Sequence, residues 1–364
     1  MVQQWTKEQA WQWHRGQPWL RGCNFLPSDC CNRIALWQEL DFERHLETAD
    51  RELGLAAETG FNSIRVILEF IVWDQQHDGF LDRFDRFLAA AAKHGISTMV
   101  CFANDCVVPK DEKYRPPALG PQNFDWGYHG GRKNSPHSGY KDAVGYNPVL
   151  DEPEAAERFY AMVSEIVARH ANDPRIVIWD LFNEPGNGNR GEVSVPHVKR
   201  IFETARAADP SQPLTTGVWR GSDSAGWTPA ERLALELSDV ISYHNYGGLD
   251  DNVYEIDFLR RFGRPLFNTE WLNRMGAGQI AACFPLFYLE KIGCWNWGLV
   301  AGLSQTYEPH ELMWNAYEAN GGAGIDFTKW LHDLYRPSLR PYDPHEIDLI
   351  KKYCRMADGK LKQQ

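Results

Sequence analysis

No stretch of this chain is apolar for long. The longest hydrophobic runs are strand-sized, and even Ile176–Leu181 is broken by Asp180, so there is no run of about twenty apolar residues to form a transmembrane helix. A basic face is missing as well. The 38 Lys and Arg stand against 49 Asp and Glu, a formal net charge of −11, whereas nucleic-acid binding needs the opposite balance. Cysteine is sparse: eight in 364 residues are too few for a disulfide scaffold, and no CxxC pair stands at zinc spacing. Cys30-Cys31 is vicinal, and several others sit in apolar runs, where a reduced cysteine behaves as a small hydrophobe. Met1–Glu8 lacks the basic and apolar regions of a signal peptide. That points to a cytoplasmic location, although a trimmed secreted chain restarted at an added Met would read the same way. No low-complexity tract or polar linker divides the sequence, which predicts one domain over residues 1–364.

What the chain has in excess is aromatic surface, with 15 Trp among 13% aromatic residues. A large interior with amphipathic rims accounts for part of this; flat apolar faces for sugar rings would account for the rest. Short apolar runs alternate with amphipathic stretches. Strands are expected at Leu20–Leu26, Asn62–Leu68, Ile96–Ala103, Arg175–Phe182, Leu214–Trp219, Val240–Tyr243, Pro265–Thr269 and Gly293–Leu299. Helices are expected at Phe42–Thr59, Phe80–Lys93, Glu154–His170, Pro196–Ala208, and near Pro229–Leu237, Val253–Phe262, Gln279–Lys291 and Phe327–Tyr335. This alternation is the count of a (β/α)8 TIM barrel. A doubly wound open sheet alternates in the same way, but no G-x-G-x-x-G follows the first strand. Between strand three and the next helix, Val107–Leu150 is rich in Pro, Gly, Asn, Tyr and His and has no period. A loop of this length is functional or disordered, and Trp126, Tyr128, Tyr140 and Tyr146 supply anchors for an ordered, lid-like insertion over the catalytic face. Its His129 and His137 lack a third ligand nearby, so no metal is expected there.

Polar residues at the C-terminal ends of barrel strands read as functional. Here they are Asn24, Arg65, Glu69, Asn104, Asp105, Asn183, Glu184, His244, Tyr246, Glu270 and Trp297. In Ile176–Pro185 an apolar strand ends in an amide and a carboxylate, and the proline stops the strand. Pro265–Trp271 repeats the pattern with Glu270. Carboxylates on strands four and seven would face each other across a barrel mouth, the pair that glycoside hydrolysis requires.

The segments Trp179–Pro185 and Asn268–Trp271 resemble the clan A glycoside hydrolases, retaining (β/α)8 enzymes that include the family 5 cellulases and mannanases. The resemblance implies that Glu184 is the acid/base, Glu270 the nucleophile, and Asn183 the amide holding the sugar 2-hydroxyl. It implies that Arg65 orients the nucleophile, that Tyr246 of His244-Asn245-Tyr246 hydrogen-bonds it, and that Trp297 floors the −1 subsite. Asn104, Asp105 and Glu69 are sugar-hydroxyl partners by residue type. The chain departs from the family pattern after strand three, with Ala103-Asn104-Asp105-Cys106, and by the acidic Glu69.

The expected activity is hydrolysis of β-linked oligo- or polysaccharides by double displacement, with a carbohydrate as the partner, no nucleic acid or membrane, and no metal or cofactor. Glu184 must rest protonated, which the charge of Glu270 would favour, while Arg65 and Tyr246 keep Glu270 ionised. An α-L-arabinofuranosidase or a transglycosylase would use the same glutamates, and a non-catalytic sugar-binding barrel would keep the aromatics. A metal-dependent barrel hydrolase would carry His-x-His after strand one, where this chain has Gly22-Cys23-Asn24-Phe25.

Overall fold

The computed structural model describes residues 3–110, 115–124, 143–221 and 226–359. Eight parallel strands close into a barrel in sequence order. They are β1 (Arg21–Asn24), β2 (Ser63–Ile67), β3 (Ser97–Asn104), β4 (Ile176–Asn183), β5 (Leu214–Val218), β6 (Ile241–His244), β7 (Leu266–Trp271) and β8 (Gly293–Trp297). The helices are α1 (Lys7–Arg15), α2 (Arg33–Trp37), α3 (Phe42–Thr59), α4 (Phe70–Gln75), α5 (His77–Lys93), α6 (Pro153–Arg169), α7 (Val195–Ala207), α8 (Pro229–Leu237), α9 (Leu249–Leu259), α10 (Ile280–Glu290), α11 (Glu311–Ala319) and α12 (Pro344–Ala357).

The long crossover helices form for ordinary reasons. In α3 and α5 the apolar residues recur on one face, burying Ala49, Leu53 and Ala56 in the first and Phe80, Phe84 and Leu88 in the second. Gly60 ends α3 at φ +98°, and a Cβ there would meet Cys354 Cβ at 2.6 Å, so only glycine lets α12 dock. Below the barrel, Thr6 caps α1 reciprocally with Gln9. That helix carries Ala10, with Trp5 and Trp13 beside it, against Leu20, Met99, Ile178, Phe267 and Trp295. The lower interior is thus a plugged apolar core, not a pore.

The expectation of a helix over Phe327–Tyr335 is corrected. The apolar spacing there is helical, but the backbone is spent on tertiary bonds: Leu334 and Tyr335 both donate to Leu299 O, and Arg274 reaches Asp333 O at 3.0 Å. The helix that covers this sector is α12, packed on α3 and α10. Trp126, Tyr128, His129, His137 and Tyr140 lie outside the described residues. The described parts of 107–150 contain no helix or strand, and among them Tyr146 donates to Glu152 at 2.5 Å under the Lys110 ammonium.

Register levels the functional strand ends. Asn24 pairs with Arg65 on one side and Trp297 on the other, Asn104 with Asn183, and His244 with Glu270. The ladders slip between Asp180 and Asn183, Tyr243 and His244, and Asn268 and Trp271. Such irregularities re-aim side chains at the rim of a barrel.

Candidate active site

Strand periodicity sends Arg65 into the barrel, where it is fully buried. Its Nε donates to Asp180 Oδ2 at 2.8 Å, and its Nη atoms reach Asn24 Oδ1 at 2.7 Å, Asn183 Oδ1 at 2.6 Å and Glu270 Oε1 at 2.8 Å. A guanidinium is a planar fork, so these four partners fix both its orientation and theirs. Asp180, which interrupts the apolar run of β4, is the buried counter-charge.

Glu270 closes β7. Its second oxygen accepts from Tyr246 Oη at 2.8 Å and lies 3.5 Å from His244 Nδ1. Glu184 follows β4 with φ +50°, in the left-handed region that costs a non-glycine residue energy. The conformation is held from several sides: Glu184 N donates to Gly217 O at 3.1 Å, and Asn187 N to Glu184 O at 3.0 Å. Its side chain accepts from His244 Nδ1 at 2.8 Å, Cys106 Sγ at 3.0 Å and Asn187 Nδ2 at 2.5 Å. The His244 ring fits because residue 217 is glycine; a Cβ there would sit 2.5 Å from Nε2.

The proton affinities of the two glutamates run opposite to the expected order. Burial pushes Glu184 up, but the hydrogen bond and charge of His244, the Cys106 thiol and the Asn187 amide together hold it below the usual carboxylate range. Burial pushes Glu270 up, Glu184 adds to this, and His244, Arg65 and Tyr246 offset only part, leaving it raised. Counting donors explains the difference. Arg65 divides its charge among several acceptors, while three donors converge on Glu184.

The remaining expected residues divide. Asn183 donates to Asn104 Oδ1 at 2.9 Å, and that same oxygen accepts from Cys106 N at 3.0 Å. Trp297 lines a cavity of about 400 Å³ together with Arg65, Asn104, Asn183, Glu184, Tyr246 and Glu270. Trp295, on the same strand face, packs below against Phe267. Among the described tryptophans, Trp297 is the one lining this cavity. Asp105 departs from the expected sugar contact. It is fully buried, with one oxygen 2.9 Å from Arg190 Nε and the other accepting from Gly186 N at 2.9 Å and from Ser194. It bolts the loop that carries Glu184. Glu69 is also displaced from the cavity: it pairs with Arg33 at 3.3 Å and lines a second space of about 540 Å³, which adjoins the first at Arg33, Asn104 and Cys106.

Sequence reasoning passes over Cys106, Asn187, His332 and Asp333. The last two lie in the stretch with helical spacing, yet they form a wall of the cavity that holds the two glutamates. Burial pushes Asp333 to about 7 against the opposing hydrogen bond from Thr306 and charge of Arg274. Two groups of described side chains have metal-ligand spacing: Glu184, His244 and Glu270, and separately Asp29, Cys30 and His45, each with its atoms within 4.8 Å. An arginine already opposes a cation in both, Arg65 at Glu270 and Arg44 at 3.9 Å from Asp29.

Comparison with known proteins shows the family and the fold. The model of the family described as "Cellulase (glycosyl hydrolase family 5)" matches residues 41–276. A β-glucuronidase of Paenibacillus borealis is 28% identical over 167 residues, 42% of this chain and 26% of that protein. Mannan endo-1,4-β-mannosidase F of Aspergillus clavatus is 26% identical over 192 residues, 48% of this chain and 38% of that protein. The matches thus span well under two thirds of either relative. Among solved structures, the exo-β-1,4-mannosidase Op5Man5 from Opitutaceae bacterium strain TAV5 superimposes with TM-score 0.59 at 16% identity, over 95% of this chain and 60% of that one. The endo-β-1,4-mannanase from Thermotoga petrophila gives 0.55 at 13%, over 96% and 80%. At these identities the likeness is one of fold.

Proposed function

The chain belongs to glycosyl hydrolase family 5, and from that premise we propose that it is a retaining β-glycosidase acting on neutral β-linked sugars by double displacement. The observation that carries the reading is the spacing of the two carboxylates. Glu184, His244 and Glu270 bring one ligand atom each within 4.8 Å of the others. Retaining enzymes hold their carboxyl groups about 5–5.5 Å apart, whereas inverting ones need roughly 6.5–9.5 Å to seat a water, and an approach this close between single oxygens of the two carboxyls supports the shorter spacing.

In the first step Glu270 attacks the anomeric carbon while Glu184 passes a proton to the departing oxygen. In the second, water gives a proton to Glu184, attacks the same carbon and releases Glu270. Held by its three donors, Glu184 ionises more readily than Glu270, so a glycosidic oxygen must displace donors around Glu184 before that carboxyl carries its proton. Arg65 and Tyr246 remain on Glu270 throughout and steady the charge that returns to it. Double displacement needs no cofactor.

A neutral sugar is favoured over a uronic acid by the charges at the cavity wall. The carboxyls of Glu184, Glu270 and Asp333 face the space, Glu270 carrying the charge when Glu184 holds its proton and Asp333 being raised to about 7, and the cations there, Arg33 and Arg65, are already ion-paired. A further carboxylate would be desolvated among like charges. The curated relatives supply the competing arms of the test, a β-mannoside and a β-glucuronide. Nitrophenyl β-mannoside, β-glucoside, β-xyloside, β-galactoside, β-glucuronide and α-L-arabinofuranoside would be assayed side by side, with proton NMR of the first product. Turnover of a neutral β-glycoside with an unchanged anomer is expected. Preference for the glucuronide would overturn the charge argument, and an inverted first product would overturn the double displacement.

A further inference from the structure

Cys106 is a neighbour of the acid/base that the two-carboxylate reading leaves without a task. It follows Asp105, whose buried pairing with Arg190 at 2.9 Å ties the loop after β3 to the loop after β4. Its backbone N–H donates to Asn104 Oδ1 at 3.0 Å, so main chain and side chain are both placed. The sulfur accepts from the amides of Asn183 at 3.5 Å and Asn187 at 3.6 Å, and its S–H is directed to Glu184 Oε2 at 3.0 Å.

We propose, on the reading of Glu184 as acid/base, that Cys106 is a positioning residue: its thiol is a fixed donor to Glu184 Oε2 that sets how readily this carboxyl takes and returns a proton. The amide contacts polarise the S–H toward the carboxylate, as linked hydrogen bonds do. The thiol is kept protonated for this task. Burial pushes it well above its ordinary value, and the charges of Glu184, Glu270 and Asp105 push the same way. A thiolate would be the nucleophile and metal ligand; a thiol hemmed in by carboxylates is only a donor. The other titratable groups facing Glu184 are His244, Glu270 and Tyr246. The device therefore acts alongside His244 and not in its place.

The glycosyl-enzyme offers a clean readout, because Glu270 is then esterified and Glu184 alone must ionise to activate water. With a 2,4-dinitrophenyl glycoside of the sugar turned over best, the leaving group needs no proton, and a pre-steady-state burst identifies breakdown of the intermediate as limiting. The acidic limb of kcat then reports Glu184. In Cys106→Ala the lost donor raises the proton affinity of Glu184, so the limb should move about one pH unit upward. At high pH kcat should stay within a few-fold of the parent. Cys106→Ser, which keeps a donor, should leave the limb near its original place. If the alanine variant does not fold, Cys106→Val carries the same test without a donor. A limb that does not move, one that moves as far in the serine variant, or a kcat lowered equally at every pH overturns the proposal. Azide rescue of Glu184→Ala tests the acid/base assignment separately. Rescue together with an unmoved limb defeats this inference alone, and failure of rescue defeats the reading beneath it.

Discussion

At the scale of residues, what the sequence discloses is chemical type, and what it hides is who meets whom. Glu184 and Glu270 stand out because an apolar strand ends on each, and Arg65 because a charge inside an apolar strand needs a partner. Asp180 reads only as a break in a hydrophobic run, although it is the counter-charge at 2.8 Å that allows Arg65 to be buried. Cys106 and Asn187 are equally silent, since their role depends on the left-handed turn at Glu184. Asp105 is the instructive departure. A polar residue at a strand end suggests sugar contact, but Arg190, many residues later, claims it. That pairing gives a measurable expectation. Both side chains of the pair are fully buried, and truncating one partner leaves the other an uncompensated charge. Arg190→Ala should therefore cost about 3–5 kcal/mol of stability in urea unfolding. A loss below about 1 kcal/mol, the range of exposed pairs, would show that the bolt is not what holds the loop.

At the scale of elements, the barrel strands and the long helices between them were legible because their hydrophobic periods are set by burial on one face. The helix expected at Phe327–Tyr335 was not there, because period alone cannot tell whether a backbone will satisfy itself or bond to a neighbour such as Leu299. The short α2 and α4 were invisible for a related reason: they are too brief to show a period and owe their form to packing. Helix α3 carries a second measurable consequence. Its Glu52 is fully buried, and burial pushes its carboxyl to about 7, only partly offset by hydrogen bonds from Ser28. A raised folded-state value means the native state holds a proton that the unfolded chain has released. The stability from this group is then complete below the unfolded value of about 4.5 and lost as pH rises to about 7. Denaturant titrations of the parent and Glu52→Gln should therefore diverge with pH, the glutamine variant gaining on the parent between about pH 4.5 and 7. A difference that stays constant, or runs the other way, would contradict the assignment.

At the scale of the molecule, closure of the barrel is what turns two distant sequence motifs into one site. Neither β4 nor β7 can do glycosidic chemistry alone. Residues from both, with Arg65 of β2 and His244 of β6, converge because the strands are tilted into a ring with a plugged floor. The alternation of elements left an open sheet and a barrel close; the missing G-x-G-x-x-G spoke against the sheet, and the resemblance carried by the strand-end glutamates implied the barrel. The irregular ladders near the rim and the wall formed by His332 and Asp333 came only with the fold. The most direct measurement of the central claim gives the two glutamates different fates in the same assay. With an activated aryl glycoside, Glu184→Ala should still form the glycosyl-enzyme, and turnover should fall by about 10²–10⁴-fold. Azide should restore it, yielding a glycosyl azide of retained configuration. Glu270→Ala cannot form that intermediate, so azide should attack directly from the opposite face and give the inverted product. Azides of the opposite configurations would exchange the two roles, and full activity in either variant would contradict the two-carboxylate account of this protein.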